Sequence, residues 1–155
     1  MFKVFSTLTT LFMAASAKNW ANKLWNDSDV IMPPQADNST YGNTEQIHTQ
    51  HVHLSLVVDF DDRKLSGEAI HTMEVLQATS IAQFDIWDLS ILNAYTGTDL
   101  DYNKCYFKIM TPNPVMGQVL QVQLDRVYLP GEIVTLTIEY HTSPTGQAFS
   151  WLNAE

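Results

Sequence analysis

The clearest pattern along the chain lies near its carboxyl end. From Gly131, Val134, Leu136, Ile138 and Tyr140 alternate with Thr135, Thr137, Glu139 and His141, the two-residue period of a strand with one buried face. Thr142-Ser143-Pro144 then stops it, because proline has no amide hydrogen and Thr and Ser compete for backbone hydrogen bonds. A second apolar run, Ala148 to Leu152, begins at once and predicts one more strand, incomplete at Glu155.

The same period recurs upstream. His51 to Phe60 sets Val52, Leu54, Leu56, Val58 and Phe60 on one face and His51, His53, Ser55 and Asp59 on the other. Asp61 to Lys64 forms a polar hairpin turn. Leu65 to Val75 returns with Leu65, Ala69, Met73 and Val75 inward and Ser66, Glu68, Thr72 and Glu74 outward, and Gly67 marks a bulge or a close backbone approach. Further strands are expected at Ala82 to Trp87, Ser90 to Tyr95, Tyr106 to Met110 and Val119 to Leu124. Seven or eight short strands without a convincing helix after residue 43 predict an all-β fold, an antiparallel β-sandwich or saddle behind an N-terminal leader.

Several of these segments resemble one family. Glu139-Tyr140, Thr142-Ser143-Pro144, Ala148, Trp151-Leu152 and Glu155 resemble a junction near the end of the first domain of the leukotriene A4 hydrolase and aminopeptidase family of zinc metallopeptidases. Asp37 to Thr40, His51 to Leu54 with Val58 to Phe60, Leu65 to Gly67, and Phe84 to Leu89 agree with it in order. The resemblance covers about 120 residues, from Asp37 onward; Phe149, Asn153 and Ala154 depart from it. It implies an all-β, aminopeptidase N-terminal-like domain over 44–155, set before a catalytic domain that this sequence lacks. It also implies that a full-length member carries zinc on an H-E-x-x-H helix, with the Glu as general base for a zinc-bound water.

No H-E-x-x-H, G-x-S-x-G, phosphate-binding loop or C-x-x-C occurs. No position therefore inherits a catalytic or zinc-binding role, and the chain is expected to be a non-catalytic domain without a cofactor of its own. The other arrangements of chemical interest are sparse. His51 and His53 project from one face of a strand and are the candidate metal ligands, with Asp59 and His141 as neighbours, although a closed zinc site takes three or four ligands. Asp61-Asp62, Asp85 with Asp88, and Asp99 with Asp101 are carboxylate pairs, two of them in turns where solvated carboxylates favour the backbone geometry. Cys105 is the single cysteine, so no intrachain disulfide forms and the fold depends on its core.

Composition narrows the partners. In 155 residues, 45% hydrophobic, 8 basic residues stand against 17 acidic for a net charge of −9, and no basic cluster offers a nucleic-acid footprint. Met1 to Lys3, the apolar stretch Val4 to Ala15 and the small-x-small Ala15-Ser16-Ala17 read as a signal peptide over 1–17, followed by a polar leader over 18–43. The apolar run is too short to span a bilayer, which takes roughly twenty residues. Secretion is the expectation, with Asn26 and Asn38 as glycosylation candidates in N-x-S/T sequons; initiation at Met32 and a cytoplasmic product is the alternative. The expected partners are the parent enzyme's catalytic domain and peptide; two other functions are open, a free-standing secreted binding module presenting Trp20, Trp25 and Trp151, and a small metal enzyme built on the histidines.

Overall fold

The computed structural model describes residues 39–98, 102–113, 115–146 and 149–152. Among these residues the fold is all β, with β1 Ile47–Asp59, β2 Lys64–Val75, β3 Thr79–Ile86, β4 Leu89–Thr96, β5 Asn103–Lys104, β6 Tyr106–Asn113, β7 Gly117–Tyr128 and β8 Ile133–Thr142. Every pairing is antiparallel. A five-stranded sheet runs in the order β1-β2-β8-β4-β5, and a three-stranded sheet in the order β3-β7-β6. The predicted sandwich is therefore present, with strands longer than their alternating cores because polar residues at the ends continue the ladders.

The core joins the two sheets. Met73, Val134, Leu136 and Ile138 of the larger sheet cluster with Ala82, Leu120, Val122 and Leu124 of the smaller, and Phe84, Ile86, Ile91, Phe107 and Tyr140 pack against the cluster. Leu136 is completely shielded, and a leucine buried to that extent stabilises the fold by about 1.5–3 kcal/mol. The sequence pattern put Met73, Val75, Val134, Leu136 and Ile138 inside for this reason: their period matches the pleat.

The hairpin of β1 and β2 is fixed by Gly67, which faces Leu56 in register. Its φ is +153°, and a Cβ there would lie 2.0 Å from the Ser55 carbonyl oxygen. The close backbone approach expected at Gly67 is thus found; the bulge falls instead between Thr49 and His51.

Two features differ from the sequence reading. Val52, Leu54, Val58 and Phe60 lie on one face as expected, but that face is bare: Leu54 is 56% and Phe60 76% exposed. The smaller sheet has three strands against five, and of β1 only Ile47 enters the core cluster between the sheets. The strand expected at Ala148 to Leu152 is absent over Phe149 to Leu152, which has no regular structure. There Trp151 meets the ring of Phe60 edge-on at 6.0 Å, so a side-chain contact replaces strand pairing.

Before β1, residues 40–43 are stitched onto β3. Asn43 donates through Nδ2 to the Ile81 carbonyl at 2.8 Å and accepts from the Gln83 amide at 2.8 Å. Asp85 accepts from the Tyr41 amide at 2.8 Å and from the Thr40 hydroxyl. Asn43 thus satisfies backbone groups of β3 that would otherwise stand unpaired at its edge, and Asp85 of β3 in turn satisfies the Tyr41 amide.

Candidate functional site

The two candidate metal ligands do project from one face of β1. His51 stands opposite Thr72 and His53 opposite Ile70, whereas Asp59 stands opposite Lys64 and His141 opposite Ser66. The register thus strings these groups along the outer face of the sheet instead of converging them. Among the described residues no three His, Cys, Asp or Glu side chains come together in a metal-holding group. His51 and His53 alone do not fit the closed ligand set of a zinc site.

The carboxylates serve the backbone. Asp62 pairs with Lys64 at 2.5 Å, and that ammonium lowers the Asp62 carboxyl and is itself raised in return. The Asp62 amide donates to Asp59 Oδ1 at 2.9 Å, which closes the hairpin turn. Both oxygens of Asp85 are taken by Thr40 and Tyr41. Asp88 holds a φ of +53° between β3 and β4, a conformation that aspartate tolerates better than most residues. None of these groups forms a pair of carboxylates with divided roles in a cleft. Asp99 and Asp101 lie outside the described residues, as do Asn26, Asn38, Trp20, Trp25 and the 1–17 segment.

The most connected polar cluster was not visible in the sequence. The Cys105 thiol donates to Thr96 Oγ1 at 3.7 Å, and the Thr96 hydroxyl donates to Asp125 Oδ1 at 2.7 Å. The Tyr128 hydroxyl donates to the same oxygen at 2.9 Å. Arg126 lies 3.8 Å over the Tyr128 ring and forks onto Glu132 at 2.9 and 3.2 Å. A thiol, a hydroxyl and a carboxylate in line resemble a nucleophile relay, but the chemistry runs the other way. Cys105 is 3% exposed, and burial pushes its thiol up, so the thiolate needed for attack is suppressed. Burial, and then the bond to Asp125, push Tyr128 up to about 12, so it stays a donor. The cluster ties β4, β7 and the turn before β8 together.

His71 was also missed. It shares the inward parity of Ala69 and Met73, and its ring lies 4.9 Å from that of Phe84. Its Nδ1 is buried without a hydrogen-bond partner, and desolvation lowers its pKa below the ordinary 6.5. Phe84 also lines a cleft of about 290 Å³, together with Asn43, Ile47, His48, Gln83 and Asp85, among others. The polar atoms of Asn43 and Asp85 in that cleft are already engaged by backbone and by Thr40. Gln83, which also lines the cleft, keeps its Oε1 buried without a hydrogen-bond partner.

No protein-family model matches the chain. Over 123 residues it is 32% identical to leukotriene A-4 hydrolase of Xenopus laevis, a match taking in 77% of this chain and 19% of the relative. Over 116 residues it is 28% identical to leucine aminopeptidase 2 of Pyricularia oryzae, covering 75% of this chain and 19% of that protein. In fold it is similar to yeast LTA4 hydrolase, with a TM-score of 0.61 at 21% identity over 81% of this chain and 19% of the other. An M1 zinc metallopeptidase from Deinococcus radiodurans gives a TM-score of 0.51 at 21% identity over 63% of this chain and 21% of the other. The chain spans about a fifth of the length of the curated relatives it matches.

Proposed function

Because this chain belongs to the leukotriene A4 hydrolase and aminopeptidase family of zinc metallopeptidases, we propose that it acts as a non-catalytic N-terminal β domain of such an enzyme. Its role is to pack on a catalytic domain and to help wall the channel through which peptide reaches the zinc. The observation that carries this reading is the asymmetry of the match, 77% of this chain against 19% of the Xenopus laevis enzyme. Hydrolysis in this account belongs to the rest of the enzyme, where zinc supplies an activated water. The residues present here supply shape: a sandwich core, an exposed Phe149 and an exposed Leu152 for packing against further polypeptide.

The test is direct. The purified chain, given zinc and an aminoacyl anilide, shows no turnover above the metal alone. Zinc-dependent turnover that disappears on changing His51 and His53 to Ala would refute the reading.

A second reading, a free-standing secreted binding module, is supported by a core that closes between two sheets within these residues. Reversible, cooperative unfolding of the isolated chain favours the module, and aggregation through the exposed Phe149 and Leu152 favours the enzyme domain.

A further inference from the structure

Asn103-Lys104-Cys105 places an asparagine two positions before the single cysteine of the sequence. Asparagine glycosylation depends on the side chain two positions on, where a hydrogen-bonding group orients the carboxamide for reaction; Ser and Thr supply a hydroxyl. A thiol offers the same donor and acceptor on the same carbon and is weaker in both roles. The triplet is therefore a thiol form of the N-x-S/T sequon, with lysine and not proline at its centre. Such a form works only while the sulfur is unoxidised. With no second cysteine in the sequence, Cys105 has no intrachain partner to consume it.

The fold gives the two side chains opposite fates. Asn103 opens β5, the end strand of the larger sheet, opposite Thr96 of β4. It is exposed, as are Tyr102 and Lys104 on either side. Cys105 is 3% exposed, belongs to the core cluster and is bonded to Thr96 Oγ1. A sugar on Asn103 thus disturbs no core packing, while the thiol that recruits it is sealed once the sheets close. Transfer acts on the extended nascent chain, before either residue has its folded surroundings, so it does not depend on what later packs beside β5.

We propose that Asn103 is an N-glycosylation site for which Cys105 supplies the orienting group. This goes beyond the domain's place in an enzyme and rests on the secretory reading of residues 1–17. The Asn103 amide nitrogen attacks the anomeric carbon of an oligosaccharide carried on a polyprenyl pyrophosphate. The bond from that carbon to the pyrophosphate oxygen breaks, the lipid pyrophosphate leaves, and the nitrogen gives up one proton to the transferase. Cys105 is a positioning residue: its thiol holds the carboxamide by a hydrogen bond and emerges unchanged.

Translation of the full chain with endoplasmic reticulum microsomes tests it. Enzymatic deglycosylation in heavy-oxygen water marks each asparagine that carried a glycan, and mass spectrometry reads the occupancy of each site. Asn103 is expected to be modified on a fraction of the chains. Cys105→Ser, which exchanges the thiol for a stronger hydroxyl partner, raises that occupancy severalfold, whereas Cys105→Ala and Asn103→Gln abolish it. Because transfer precedes folding, these readouts survive a variant that destabilises the core. A chain protected inside the microsomes with Asn103 bare overturns the proposal and leaves the secretory reading standing. Occupancy that persists in Cys105→Ala overturns the role of the thiol. A chain that stays outside the microsomes, with Asn26, Asn38 and Asn103 all bare, overturns the secretory reading and the proposal with it.

Discussion

Replacing Gly67 with alanine is the sharpest test of how the hairpin is built. The new Cβ would lie 2.0 Å from the Ser55 carbonyl oxygen and 3.1 Å from the Leu56 Cα, on a backbone whose φ is +153°. Two costs follow. Holding a non-glycine residue in that region costs about 1–3 kcal/mol, and forcing apart two strands to admit a methyl group adds about 1–3 kcal/mol of the overpacking kind. The expected loss is thus about 2–6 kcal/mol, a large share of the roughly 5–15 kcal/mol that holds a domain folded. Gly131→Ala is the matched control, since its φ is +86° but the added Cβ meets nothing within 4 Å. It bears only the backbone cost, about 1–2 kcal/mol. Urea unfolding of both variants followed by tryptophan fluorescence, extrapolated linearly to water, separates the two terms. Equal destabilisation of Gly67→Ala and Gly131→Ala would refute the claim that backbone contact between β1 and β2 dictates glycine at position 67.

The other predictions concern polar groups. His71 is held neutral by burial, so the unfolded chain binds a proton that the folded chain refuses; stability is fully present above pH 6.5 and falls as pH drops below it. A pH series of unfolding free energies should show that slope in the wild type and lose it in His71→Leu. Asn43→Ala removes the acceptor of the Gln83 amide and the donor to Ile81, and leaving a buried amide unpaired costs about 1–3 kcal/mol; denaturant midpoints measure it, and an unchanged midpoint contradicts the stitching of residues 40–43 onto β3. The Cys105 thiol should resist an aromatic disulfide reagent at neutral pH and react at once in denaturant, because its burial suppresses the thiolate. Rapid reaction of the native chain would restore Cys105 as a candidate nucleophile.

The strands were legible because alternation reports the pleat directly: Val134, Leu136 and Ile138 are inside for the reason their spacing suggested. Gly67 was legible because a glycine within a strand has few uses besides close approach. Alternation names a face without saying what covers it, and β1 shows the difference, since its apolar face is real and uncovered. His71 escaped notice because a histidine breaks the hydrophobic reading of an inward position that its parity alone would have assigned. The cluster of Thr96, Cys105, Asp125 and Tyr128 joins residues from β4, the link between β5 and β6, and β7. Those contacts exist only once the sheets pack, and no local motif announces them. Phe149 to Leu152 looked like a strand because their apolar content is high, yet composition without a partner strand does not make a ladder.

The central claim is that this chain is the non-catalytic β domain of a zinc aminopeptidase of the leukotriene A4 hydrolase family. Reading the transcript past the codon for Glu155 tests it most directly. The account predicts an open frame that continues into H-E-x-x-H and a later glutamate. A stop codon at that point, in a transcript whose product folds and functions by itself, would contradict it.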